Sequence, residues 1–167
     1  DNLRFRSRNL ELVLQDIAKL KEKYDTEYMF FSDECMPVKQ LSNLSSRMIT
    51  EECNIKWMAG VRFDKGLTKE LLQKVRNAGC LKLVFGLESS NKRILSLMDK
   101  GIETEIAKKA VDYCLDSGIA VHMYVIVGFP SETKEEAVET LDFVVSHERF
   151  MKSKGASCLV CLFELEK

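Results

Sequence analysis

The sequence predicts a parallel α/β fold, either a (βα) barrel, whole or partial, or a doubly wound sheet. Three observations lead there. Hydrophobic period alternates between helix-like and strand-like stretches along the chain. The strand-like runs start about 26 to 38 residues apart, which suits right-handed βα crossovers. Those runs are also nearly continuous in apolar residues, as burial on both faces of a parallel sheet requires.

The elements follow in order. Leu10, Val13, Leu14, Ile17 and Leu20 recur at helical spacing, with Ser7 or Asn9 available as the cap. "YMFFS" at 28–32 is a short buried strand, and a weaker helix runs through Leu41, Leu44, Met48 and Ile49. "IKWMAGV" at 55–61 is the next strand. Thr68 caps a helix carrying Leu71, Leu72 and Val75, which stops at Gly79. "LKLVFGL" at 81–87 is the third strand. A short helix through Ile94, Leu95 and Met98 ends at Gly101, and Thr104 starts another, striped by Ile106, Ala107, Ala110, Val111 and Cys114 and ended by Gly118. "IAVHMYVIV" at 119–127 is the longest strand. Thr133 and Glu136 form a capping box for a helix through Ala137, Val138, Leu141, Val144 and Val145. "ASCLVCLFEL" at 156–165 is the last strand. Residues 1–167 read as one domain, with no linker or low-complexity tract.

Composition narrows the function classes. Of 167 residues, 46% are hydrophobic and 31% charged, as in a soluble globular protein. The net charge of −1 lacks the positive balance of a duplex-binding domain, so charge implies no nucleic-acid partner. No apolar run reaches the ~18 residues of a membrane span, and "DNLRFRSRNL" is no signal peptide. Six scattered cysteines, Cys35, Cys53, Cys80, Cys114, Cys158 and Cys161, read as reduced thiols of a cytoplasmic protein. Only Cys158 and Cys161 have ligand-like spacing, and on a strand residues three apart point to opposite faces, which argues against a metal.

In parallel α/β folds chemistry collects at the carboxyl ends of the strands. Those ends carry Ser32, Asp33, Glu34 and Cys35; Arg62 and Asp64; Glu88, Ser89 and Ser90; and Gly128, Phe129, Pro130, Ser131, Glu132 and Thr133. Each group has a plainer reading. Asp33 and Glu34 suit a turn before a helix, Arg62 and Asp64 a surface pair, Ser89, Ser90 or Asn91 a helix cap, and Gly128–Pro130 a tight turn. Together they gather acids and bases on one rim, and a buried carboxylate there needs a partner. His122 lies in mid-strand and reads as a packed, hydrogen-bonded histidine or as one facing substrate. His147 reads as solvated at a helix end, and Lys100 as serving a helix C-terminus.

Three segments carry a family resemblance: "FFSDE", "GCLKLVFGLESSNKRILSLMDKGI" and "GIAVHMYVIVGFPSET". Together, in this order and across nearly the whole chain, they resemble the radical S-adenosylmethionine (radical SAM) enzymes. The branch is the one reading "GxESxxxRxLxxMxKG" and "IxGFPxET", which includes cobalamin-dependent and methylthiotransferase-like members. The resemblance implies a partial (βα) barrel of parallel strands, TIM-barrel-like. It implies a 4Fe–4S cluster held by three cysteines, and S-adenosylmethionine cleaved reductively to a 5′-deoxyadenosyl radical that takes hydrogen from substrate. It also implies an electron donor such as flavodoxin or ferredoxin and, in part of the branch, cobalamin. Carried over by position, Asp33 and Glu34 match groups that contact the methionine ammonium. Glu88 matches a residue that meets the ribose or methionine. Arg93 matches an arginine that pairs with the methionine carboxylate, Glu88 and Arg93 keeping each other ionised. Ile126, Gly128, Phe129 and Pro130 match the segment that packs on adenine, and Arg62 points toward the same cavity.

The sequence departs from the family in one respect. No CxxxCxxC spacing occurs between 1 and 167, so no metal ligands are assigned in this chain. The expectation is a fragment lacking the first strand and cluster loop, inactive alone and binding no cofactor, whose full-length protein is the enzyme. The rivals are a degenerate barrel serving as a binding module, and a cluster-free barrel enzyme using acid–base pairs such as Asp33 and Glu88. The substrate is not readable.

Overall fold

Most helices begin where a short polar side chain accepts one of the first free amides. The computed structural model describes residues 8–32 and 35–164. Helix α1, Leu10–Tyr24, starts at Asn9, whose side chain accepts from the Glu11 amide at 2.8 Å. Strand β1 is Tyr28–Phe31, and α2, Val38–Thr50, starts after Pro37. Strand β2, Lys56–Val61, leads to α3, Lys69–Asn77, capped by Thr68. Strand β3 is Cys80–Glu88; α4, Lys92–Leu97, is capped by Asn91; α5 is Thr104–Asp116. Strand β4, Ala120–Val127, precedes α6, Lys134–Ser146, which carries the expected Thr133–Glu136 capping box. A five-residue helix α7, Glu148–Lys152, then precedes β5, Ser157–Leu162. Helix α7 was not expected, because one turn and a half gives too few residues for a period to show.

The sheet runs β1-β2-β3-β4-β5, and every neighbouring pair is parallel. This order decides between the two architectures left open by the sequence. A doubly wound sheet reverses its strand order at a switch point, whereas this chain steps in one direction throughout. With right-handed crossovers, one-way winding puts the helices on a single face, as in a barrel. Among the described residues the strands do not close into a ring, and β1 and β5 are the two edges.

Burial follows from that winding. Trp57, Ala59 and Val61 of β2, Leu83, Phe85 and Leu87 of β3, and Val121, Met123 and Val125 of β4 lie in one core with Leu41, Leu72, Val75, Val111 and Cys114 of the helices. Trp57 is 1% exposed, donates Nε1–H to the Ala78 carbonyl at 2.8 Å, and meets Phe31 edge-on. The chain enters β3 through Gly79 at φ +95°, where a Cβ would lie 2.0 Å from the Ile55 carbonyl oxygen, so only glycine fits. Among the described residues, the opposite face of the sheet carries no helix. Phe30, Met58, Tyr124 and Leu159 point there and stay 58%, 41%, 40% and 48% exposed. No helix among the described residues is long and apolar enough to cross a membrane.

One sequence expectation is corrected in the helical layer. His147 is not solvated but buried, with Nε2 3.1 Å from Asp112 Oδ1. Helix α7, turning back beside it, brings Phe150 to within 6.4 Å of its ring and Arg149 onto Asp112 and Asp116.

Candidate functional site

Because all five strands are parallel, their carboxyl ends share one edge, and Arg62, Glu88 and Gly128 follow directly on, or end, β2, β3 and β4. Asp33 and Glu34, expected beside them after β1, lie outside the described residues.

Glu88 is placed by three features acting together. Strand β3 slips register against β4 at its last residues, with Gly86 opposite Tyr124 and Glu88 opposite Val125, a bulge that turns the strand end. Glu88 itself takes φ +60°, rare for a non-glycine residue, so its side chain folds back along the strand. Its carboxylate then lies over Gly86, where a Cβ would come within 2.3 Å of Oε1. The residue is 9% exposed, and Lys100 Nζ stands 3.1 Å from Oε1.

Lys100 links two strand ends. Its ammonium holds Glu88 of β3, and its carbonyl accepts from Arg62 Nη2, beyond β2, at 2.6 Å. The plainer pairing of Arg62 with Asp64 is not formed; Asp64 Oδ1 accepts the Gly66 amide in a turn. Cys35 completes this corner. Burial pushes its thiol up, while the Arg62 amide and the charges of Arg62 and Lys100 pull it back. Lys100 and Cys35 are the rim residues that sequence reasoning left out of the site. The reading of Lys100 as a helix-terminus cation is corrected accordingly: with Asp99 at φ +51°, the chain leaves α4 turned toward β3.

Arg93 lies elsewhere on the rim. Its Nε and Nη2 donate to Glu136 at 2.7 and 2.5 Å, Nη2 to the Ser131 carbonyl at 2.7 Å, and Nη1 to Ser131 Oγ at 3.1 Å. The expected mutual pairing of Glu88 and Arg93 is therefore corrected: the cation on Glu88 is Lys100 and the anion on Arg93 is Glu136. Arg93 holds Glu136 well below the usual carboxylate range, at about 2, with the Thr133 amide adding to the effect.

What Arg93 braces is the turn after β4. Gly128 N–H donates to Glu132 Oε2 at 2.5 Å, and the Glu132 amide donates to the Phe129 carbonyl at 2.8 Å. Phe129 meets Phe163, just past β5, edge-on at 5.0 Å. Glu132 Oε1 is buried and has no hydrogen-bond donor among the described residues. The Ser89–Ser90 turn docks on the same helix: Ser89 Oγ and the Ser90 amide each lie 3.0 Å from Thr140 Oγ1. Asn91, not Ser89 or Ser90, is the cap of α4.

The arrangement offers a fixed carboxylate, a guanidinium with donors to spare at Arg62, and a braced backbone turn at 126–130. Those are groups suited to a ligand with amino, hydroxyl and purine parts. They are not suited to hold a metal cluster. Among the described residues, no three His, Cys, Asp or Glu side chains come together as a metal site.

Comparison with known proteins identifies the family and the fold. The family model described as "Radical SAM superfamily" matches residues 1–144. An uncharacterized methyltransferase of Pyrococcus horikoshii is 29% identical over 142 residues, covering 84% of this chain and 31% of that protein. The anaerobic magnesium-protoporphyrin IX monomethyl ester cyclase of Rubrivivax gelatinosus is 27% identical over 139 residues, covering 81% of this chain and 25% of that protein. The chain thus spans a third or less of these relatives' length. In structure, it superposes on the radical S-adenosylmethionine methyltransferase TsrM of Kitasatospora setae, solved with cobalamin and a [4Fe-4S] cluster bound. The TM-score is 0.80 at 16% identity, over 93% of this chain and 31% of that one.

Proposed function

This chain belongs to the radical SAM superfamily, and on that premise we propose that its strand-end rim binds S-adenosylmethionine for an enzyme acting on a ring-bearing substrate. The family uses S-adenosylmethionine with a 4Fe–4S cluster. The described residues fit the first of these groups and not the second. The observation that carries the reading is Glu88, a buried carboxylate in the left-handed region, folded over Gly86 at the edge where three strand ends meet.

When bound, S-adenosylmethionine supplies the carbon–sulfur bond that the family's chemistry breaks. The chain's own residues bind and orient it. Glu88 accepts from its hydroxyl or ammonium groups. Arg62 offers the guanidinium donors that Lys100 leaves free. The backbone of 126–130 lies along the adenine, with Ile126, Phe129 and Pro130 as its apolar floor and Gly128 leaving room for close approach. The buried Glu132 Oε1 stands ready to accept a donor from this side. Arg93 acts by holding Ser131 and Glu136, and so fixes the turn that the adenine meets. Asp33 and Glu34 are proposed for the ammonium on the family's pattern. The reaction class read from the relatives' names is methyl transfer or ring modification, with cobalamin as a second cofactor. The family resemblance adds a flavodoxin- or ferredoxin-like electron donor to the proposal.

The test is a calorimetric titration of S-adenosylmethionine into the anaerobically reconstituted full-length protein. Glu88→Gln is expected to weaken binding by about tenfold, the worth of one charge-assisted hydrogen bond, and Arg93→Ala to weaken it by loosening the turn it braces, both with unchanged circular dichroism. Affinities equal to wild type in both variants would remove the rim from the cofactor site.

A further inference from the structure

The helix-free face of the sheet has a composition of its own below the rim. Register sets its rows. Phe30, Met58, Lys82 and Ala120 lie side by side across β1 to β4. The next row up holds Gly60, Val84, His122 and Ser157, and the one above it Gly86, Tyr124 and Leu159. Phe30, Met58, Tyr124 and Leu159 are exposed apolar or aromatic side chains spread over four strands. With neighbouring strands about 4.8 Å apart, five strands span about 19 Å, room for a broad flat molecule.

The polar groups on this face are few and open. His122 Nδ1 lies 2.7 Å from Ser157 Oγ, and its ring meets Tyr124 edge-on at 4.7 Å. Neither His122 Nε2 nor the Tyr124 hydroxyl has a hydrogen-bond partner among the described residues, and Lys82 has no ion-pair partner there. Burial, aided by the Lys82 charge, pushes the His122 imidazole down, so it is neutral at neutral pH. An ammonium without a counter-ion, set among apolar side chains beside a neutral imidazole and a phenol, is complementary to a carboxylate carried on a flat apolar body.

We propose that this face binds the substrate, a planar ring system bearing a carboxylate. Lys82 pairs with the carboxylate, His122 and Tyr124 hydrogen-bond the ring edge, and Phe30, Met58 and Leu159 cover its face. The proposal rests on the cofactor reading for its setting and specifies the substrate class. His122 and Tyr124 also join it to the rim, since Tyr124 lies beside Gly86, over which the Glu88 carboxylate is folded.

The two histidines make the test internal. The imidazole signals of His122 and His147 are followed by NMR in the 167-residue chain during titration with protoporphyrin IX, its dimethyl ester, and indole-3-propionate. The expected result is a shift of His122 and not of His147, which is buried against Asp112 in the helical layer. The free acids bind more tightly than the ester. Lys82→Met lowers affinity for the acids by about tenfold and leaves the ester unchanged, while Lys82→Arg restores it. Preference for the porphyrin over the indole identifies a macrocycle, and the reverse a single fused ring. Equal affinity for acid and ester, insensitivity to Lys82→Met, equal shifts of both histidines, or a silent His122 would each overturn the proposal. The calorimetric titration of S-adenosylmethionine into the reconstituted full-length protein separates the two readings. Affinity unchanged in Glu88→Gln counts against the cofactor site alone, and a silent His122 counts against the substrate face alone.

Discussion

Glu88 shows how much one residue's backbone decides. Straight alternation from Leu87 would leave its side chain projecting across the face of the sheet; the bulge and φ +60° bring the carboxylate back over Gly86 instead. Gly86→Ala therefore meets the end of a flexible side chain rather than backbone. The expected outcome is a stability change below about 1 kcal/mol by urea unfolding, together with a loss of S-adenosylmethionine affinity as large as that of Glu88→Gln. Unchanged affinity would mean that the carboxylate need not lie where it does. Glu136 gives a second residue-scale test. Its folded-state pKa, about 2, lies below its ordinary 4.5. Its contribution is complete above pH 4.5 and disappears as pH falls toward about 2. Wild type is expected to exceed Glu136→Gln in urea midpoint above pH 4.5, with the gap closing through that window. A gap independent of pH would show that the Arg93 pair is not its source.

At the scale of the element, helix starts were the most legible features. Thr133 and Glu136 satisfy each other's amides as their spacing predicts, with Thr133 Oγ1 3.3 Å from the Glu136 amide and Glu136 Oε2 2.9 Å from that of Thr133. Asn9 and Thr68 cap as expected. Thr133→Ala is expected to cost about 1 kcal/mol in urea unfolding, and Thr133→Ser to recover most of it. Less legible were the short pieces. Helix α7 is too short to show a period, and without it His147 looked like an exposed helix end. The turn after α4 sends Lys100 to Glu88, a contact twelve residues apart in sequence that no local rule anticipates.

For the whole molecule, one-way strand order puts the helices and the core on one face and leaves side chains of the other exposed among the described residues. Trp57, the only tryptophan, sits in that core and is the probe for its integrity. Its emission is expected to be blue-shifted in the native state. Trp57→Phe removes ring volume and leaves the Ala78 carbonyl without its donor, so a loss of about 2 kcal/mol is expected. A change near zero would show that the β2–α3 layer repacks. Cys80 and Cys114 lie in the same core, and burial raises Cys80 to about 12, so both are expected to resist alkylation until the chain unfolds.

The sequence by itself determined every element but α7, their parallel alternation, the family, and which residues stand at strand ends. Apolar period, cap chemistry and short motifs are local, and the chain carries them wherever it folds. Only the tertiary structure decided that the winding runs one way, that Lys100 rather than Arg93 faces Glu88, that Arg93 braces the turn after β4, and that Lys82, His122 and Tyr124 share an uncovered face. These depend on strand order, register and one bulge, which arise from packing between segments distant in sequence and leave no period to read.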